Sequence, residues 1–252
     1  MDDTCLTQTV LSRGDEENKV YHLSPNTTRR KSFWHDVPLF YRDTLRVKKE
    51  VAEDDLVDQS YQMVVEIEAN TRAKMEISKD LQFNPIVLDR CLKEPMPFSY
   101  GGLPQTYEDP HSIDPVMKIK GDNDPLDVCN MSNVFRKTLG MDIRSHRTGD
   151  IIPVKVIGIL QIRDSGEADW KVIAIDYDLF SLYFDNYDMA ITPIINTLLG
   201  WFKSDPKYED LFFFDILHPS RNISGNAINV FNTVMRHSID SYRIRILENQ
   251  TE

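Results

Sequence analysis

The runs Ile151-Ile-Pro-Val-Lys-Val-Ile-Gly-Ile-Leu-Gln-Ile162 and Trp170-Lys-Val-Ile-Ala-Ile-Asp176, joined by Asp164-Ser-Gly-Glu-Ala-Asp169, decide the architecture. Both runs are rich in β-branched residues and the joining segment is polar with a glycine, which predicts two strands and a tight turn. The tip of that hairpin carries Asp164 and Asp169, and Lys171 opens the return strand. Upstream, Met63-Val-Val-Glu-Ile-Glu68 predicts another strand. Beyond Asn70-Thr71, Ala73-Lys-Met-Glu-Ile77 alternates apolar and charged residues, which predicts a hairpin partner with Lys74 and Glu76 on one face and Met75 on the other. Shorter strands are expected around Val20, Tyr21 and Leu23 and over Ser32–Leu39, the latter ending in a turn that His35 anchors. Val128 to Ser132 completes the set. Residues 42–59, 81–110 and 133–149 carry no sustained apolar face and are expected to be loops.

The C-terminal part changes period. Met189, Ile191, Ile194, Ile195, Leu198, Leu199 and Phe202 recur every three or four residues, predicting a helix over about 189–203 that buries Met189. Ile228, Phe231, Val234, Met235, Ile239 and Tyr242 predict a second helix, and Leu211 to Ile216 is a short apolar segment between them. Strands followed by helices imply an α+β fold. Residues 1–30 are polar and read as an N-terminal extension, leaving residues 31–252 as one domain.

A net charge of −11 argues against a nucleic-acid-binding surface, because phosphate neutralisation needs clustered Lys and Arg. No apolar run is long enough to span a membrane. The cysteines Cys5, Cys91 and Cys129 are odd in number and widely spaced, which argues against a disulfide framework and fits a cytoplasmic protein.

The chemistry concentrates in Gly121-Asp-Asn-Asp-Pro-Leu-Asp127. Pro125 disfavours regular structure, so Asp122, Asp124 and Asp127 are expected on a bent segment where all three can converge. Converging carboxylates repel unless a cation lies between them, and hard oxygen donors favour Mg²⁺, Mn²⁺ or Ca²⁺. The spacing is not that of an EF-hand. Acids at 164 and 169, with Glu66 and Glu76, and lysines at 74 and 171 beside the glycine-bearing stretch Tyr100–Pro110, suit metal-bound phosphate.

These segments resemble the soluble family I inorganic pyrophosphatases. The likeness is carried by Tyr100-Gly-Gly-Leu-Pro-Gln-Thr-Tyr-Glu-Asp-Pro110, Gly121-Asp-Asn-Asp-Pro-Leu-Asp-Val128 and the Asp164–Asp176 hairpin. Phe33-Trp-His-Asp-Val-Pro-Leu39 and Met63–Lys79 are similar to the eukaryotic branch, and the match runs in order from about residue 33 to residue 202. The resemblance implies an OB-like five-stranded β-barrel with flanking helices, Mg²⁺-dependent hydrolysis of pyrophosphate, and a homodimer. It implies Asp122, Asp127 and Asp169 as principal metal ligands, Asp164 and Glu76 as supporting ones, and Asp124 as the acid that handles the attacking water. Lys74, Lys171 and Tyr100 would contact phosphate, with Glu66 lining the same cavity.

The chain also departs from the family pattern. Its loop from Pro85 to Tyr100 is short, and Arg90 is the nearest counterpart of the family's phosphate-binding arginine. Asp205-Pro206 stand where the family has an adjacent Tyr-Lys pair, with Lys207 and Tyr208 displaced. The sequence therefore leaves two readings: a working pyrophosphatase, or a catalytically impaired relative that binds metal or a partner.

Overall fold

The computed structural model describes residues 19–24, 27, 29–42, 56–217 and 226–249. In chain order the strands are β1 (Lys19–Val20), β2 (His22–Leu23), β3 (Arg30–Lys31), β4 (Ser60–Ile67), β5 (Ala73–Ile77) and β6 (Ile86–Cys91). They continue as β7 (Ser99–Gly102), β8 (Asp127–Asn130), β9 (Ile151–Asp164), β10 (Glu167–Ala168), β11 (Lys171–Asp176) and β12 (Tyr208–Asp215). The helices are α1 (Ser132–Thr138), α2 (Tyr177–Tyr183), α3 (Tyr187–Phe202) and α4 (Ala227–Asn249).

The largest sheet is mixed and runs β10-β9-β11-β8-β7-β4, with β4 also paired to β9 and β12 added on β9. The path β9-β11-β8-β7-β4 therefore returns to its starting strand. Alternation sends successive side chains to opposite faces of these strands. Val128, Val172 and Ala174 join a core with Tyr61, Met63, Val156 and the α4 residues Phe231 and Met235. Their neighbours Cys129, Ile173 and Ile175 join a second core with Phe135 of α1 and Ile194, Leu198 and Phe202 of α3. Asp127 and Lys171 have the parity of the second set, so they stand at its strand-start end.

The long hairpin forms as expected: β9 and β11 pair antiparallel from Lys171↔Leu160 to Asp176↔Val154. Several other expectations are corrected. β5 does not pair with β4; it pairs with β6 in a three-stranded sheet β1-β6-β5. The turn after β4 is occupied elsewhere, since Asn70 N–H donates to Met96 O at 2.7 Å and Met96 N–H to Thr71 O at 2.9 Å. Residues 81–110 are not a continuous loop but contain β6 and β7, and residues 133–149 contain most of α1. Ser32–Leu39 is a turn, not a strand: the Ser32 hydroxyl oxygen accepts the N–H of Trp34 at 3.1 Å and of His35 at 2.8 Å. His35 does anchor it, with Nδ1 3.0 Å from the Tyr242 hydroxyl on α4. Met189 is 60% exposed rather than core, whereas Met235 is fully buried. Cys129 is free and buried, while Cys91 is disulfide-bonded, although the number and spacing of the cysteines argue against a disulfide framework. Residues 43–55, most of the expected 42–59 loop, lie outside the described residues, as do Cys5 and most of residues 1–30.

β7 owes its place to a missing side chain. A Cβ on Gly101 would lie 1.9 Å from Val64 O, so only glycine lets this strand approach β4 so closely.

Candidate active site

The acidic loop and the hairpin tip meet through backbone contacts. Gly121 forms a parallel bridge with Ala168, and Ala168 N–H donates to Lys120 O at 2.7 Å. This sets Asp122 beside Asp169. Next to them, β8 and β11 run parallel with Asp127 opposite Lys171. The Lys171 ammonium, with its side chain 3% exposed, is ion-paired to both Asp127 and Asp169. Asp122 Oδ1 accepts the Asp124 N–H at 3.1 Å, which folds the segment back on itself, so its acids do converge as the sequence suggests.

A cavity of about 650 Å³ opens at this point. Asp122, Asp124, Asp127 and Asp169 line one side of it, with Lys171 among them. β4 supplies Glu66, whose Oε1 accepts the Ile77 N–H at 2.7 Å, and β5 supplies Lys74 and Glu76, which pair with each other. β7 supplies Tyr100, with the Lys171 Nζ 5.5 Å from its ring centre. Asp164 also lines it, held by Lys207 Nζ donating to its Oδ2 at 2.6 Å. Arg90 lines the rim beside Lys74, but its guanidinium bonds Asp89 at 2.6 Å and its side chain is 51% exposed. The structure thus brings together every site residue named from the sequence, and adds Lys207.

Two residues escape sequence reasoning. Lys79 Nζ donates to Asp124 Oδ1 at 2.8 Å. Glu108 lies with Asp122 and Asp169 so that one oxygen of each is within 4.8 Å of the other two. Both belong to motifs that carry the family likeness, but nothing in their spacing shows which way their side chains turn.

The electrostatics match a site made for cations. Burial pushes the Asp122 carboxyl well up, and Asp169 and Asp124 add repulsion. Burial raises Asp169 to about 6, with Lys171 pulling against it and Asp127 pushing with it. Burial and Asp127 likewise raise Glu66 well above the usual carboxylate range. Asp124 is raised by burial while Lys79 holds it down. Burial alone would lower the Lys171 ammonium, yet Asp127 and Asp169 lift it well above its ordinary value, so it stays charged. Asp164 goes the other way: despite partial burial, its hydrogen bonds from Lys207 and Ser165 lower it. Two lysines, Lys171 and Lys79, against the four carboxylates Asp122, Asp124, Asp127 and Asp169 still leave negative charge that a divalent cation offsets, and the donors are all hard oxygen.

Residues 63–211 match the family model described as inorganic pyrophosphatase. The chain belongs to the inorganic pyrophosphatase family. The inorganic pyrophosphatase of Yarrowia lipolytica is 41% identical over 230 residues, covering 84% of this chain and 71% of that one. That of Schizosaccharomyces pombe is 40% identical over 156 residues, covering 58% of this chain and 46% of that one, so the match spans about half of that relative. Among solved structures, the type I inorganic pyrophosphatase of Toxoplasma gondii is 29% identical with a TM-score of 0.65, covering 93% of this chain and 96% of that one. The cavity lies within the part that the pyrophosphatase family model covers.

Proposed function

We propose that this chain hydrolyses inorganic pyrophosphate to two phosphates with the help of Mg²⁺. The observation that carries this is the convergence of Asp122, Asp124, Asp127 and Asp169 with Lys74 and Lys171 in one cavity. The donors fit the metal, since several buried carboxylates face one another with a single buried ammonium between them. Asp122, Asp127 and Asp169 would hold it, with Asp164 and Glu76 in support. Bound there, Mg²⁺ lowers the pKa of a coordinated water and neutralises charge on the phosphates.

The chain's own groups do the rest. Asp124 accepts the proton of the attacking water as its oxygen bonds to phosphorus and the bridging P–O bond breaks. Lys74 and Lys171 donate to the phosphate oxygens as charge grows on them, and Tyr100 and Lys207 offer further donors. Glu66 lines the same cavity near the end of β4, its carboxylate held by the Ile77 N–H. The second reading, an impaired metal-binding relative, is favoured by one observation: Arg90 is tied to Asp89 rather than aimed at the acids.

Phosphate release with Mg²⁺ separates the two. Asp124→Asn is expected to cut turnover about 10²- to 10⁴-fold, the range of a lost general base, with the fold unchanged. No Mg²⁺-dependent release by the unaltered chain above that variant would refute the first reading.

The ring of β9, β11, β8, β7 and β4 supports description as an OB-like barrel. We assign residues 31–252 to the catalytic domain, with residues 1–30 an extension. Among the described residues no helix is long and apolar enough to cross a membrane, and we propose a cytoplasmic homodimer without nucleic-acid partners. Light scattering of the purified chain tests the dimer.

A further inference from the structure

Glu108 is held rigidly and left incomplete. Its N–H donates to Asp124 O at 2.8 Å, its carbonyl accepts the Asn123 N–H at 2.8 Å, and Gly121 N–H donates to Asp109 O at 3.2 Å. Gly121 makes this approach feasible, because a Cβ there would lie 2.4 Å from the Glu108 carbonyl carbon. The two segments are thus laced together, and the Glu108 side chain is delivered between them with 6% of the residue exposed. Its Oε1 accepts the Trp170 N–H at 3.1 Å. Its Oε2 is buried and has no hydrogen-bond partner.

A buried carboxylate oxygen without a partner is costly, and buried polar groups are ordinarily satisfied. Water does not reach this oxygen, and the nearby ammonium of Lys171 is taken by Asp127 and Asp169. What lies close to the carboxylate is more negative charge: one Glu108 oxygen and an oxygen each of Asp122 and Asp169 are all within 4.8 Å of one another. Three oxygens so gathered, one from each carboxylate, with Glu108 also carrying the orphaned Oε2, are the donor set of a hard divalent cation. We propose that Glu108 is a further ligand, with Asp122 and Asp169, of a divalent cation such as Mg²⁺ or Mn²⁺. Glu108 thereby ties the Tyr100–Pro110 segment to the cation, so that binding braces the loop on which Tyr100 and the acidic loop depend. This rests on the reading of the cavity as a cation site.

The test is direct binding of Mn²⁺ to the full chain, followed by electron paramagnetic resonance, for the unaltered protein and Glu108→Gln. Glutamine keeps an acceptor for Trp170 and removes the charge. Expected is one Mn²⁺ site weakened at least about tenfold, the scale seen even for outer-shell partners, with thermal stability in EDTA equal to or above that of the unaltered chain. Unchanged Mn²⁺ affinity in Glu108→Gln overturns the role of Glu108 and leaves the cation site standing. No Mn²⁺ binding by the unaltered chain overturns both. Should Glu108→Gln fail to fold, Mn²⁺-soaked crystals of the unaltered protein decide by anomalous scattering. An ion within about 2.6 Å of Glu108 Oε2, the outer limit of cation–oxygen bonds, supports the assignment, and an ion on Asp122 and Asp169 beyond that reach of Glu108 overturns it.

Discussion

Replacing Lys171 by methionine is expected to destabilise the metal-free protein strongly and the metal-bound protein weakly. The Lys171 side chain is 3% exposed and its ammonium serves Asp127 and Asp169 together. At an effective dielectric of about 20, one unit-charge pair near 4 Å is worth about 4 kcal/mol. Desolvating the ammonium costs several kcal/mol, so the net loss on removing it from two carboxylates is about 3–5 kcal/mol. For a chain of this size each kcal/mol moves Tm by about 2–4 °C, giving a fall of roughly 6–20 °C. Methionine fills similar volume, so packing contributes little. A divalent cation on the same carboxylates supplies the missing charge and shrinks the deficit. The assay is thermal unfolding of both proteins in EDTA and in saturating Mg²⁺. A loss in EDTA below about 1 kcal/mol, or an equal loss with and without Mg²⁺, would refute the reasoning, because either means that the acids do not depend on Lys171 for neutralisation.

Asp169 gives a pH signature of opposite sign to an ordinary ion pair. Its folded pKa of about 6 lies above the unfolded value, so the native state gains from its protonation at low pH and loses that gain as pH rises through 6. Unfolding in EDTA should therefore show Asp169→Asn gaining about 2 kcal/mol on the unaltered chain between pH 4 and 7, at 1.36 kcal/mol per pKa unit. Gly101→Ala should cost more than about 3 kcal/mol in denaturant melts, since its Cβ would sit 1.9 Å from Val64 O and β7 would have to move. Lys207→Ala frees Asp164 and removes a proposed phosphate donor, so steady-state kinetics should show KM for pyrophosphate rising about tenfold, the scale of one charge-assisted hydrogen bond.

The long hairpin was legible because β9 and β11 are apolar on both faces and packed by separate cores on each. β7 was not, because Ser99-Tyr-Gly-Gly102 has poor strand propensity and is a strand only by fitting against β4 and β8. Alternation in β5 shows its buried and charged faces, but alternation does not name a partner, and contacts from Met96 to Asn70 and Thr71 pull the turn away from a hairpin. α1 shows only a short apolar face, chiefly Val134 and Phe135, too little to stand out in its polar surroundings. Met189 matches the helical period, yet the buried stripe of α3 runs through Ala190, Ile191, Ile194 and Leu198, one step off it. The acids of the site were legible because they cluster within two short motifs. Glu108 and Lys79 meet those acids only across the fold, a relation that local spacing does not encode.

The parallel pairing of β8 and β11 also bears on kinetics. Asp127 and Lys171 face each other across the one parallel strand pair among the described residues, and 44 positions separate them along the chain. Parallel neighbours require a crossover, and here β9 must also be laid down beside β11 before the charges are set. Contacts so distant in sequence are expected to form late on the way to the native state. A cation that recognises this arrangement then arrives after the main barrier, so it should slow unfolding while leaving the refolding rate nearly unchanged. In that sense the metal acts as a latch on a finished molecule and not as a template for making it.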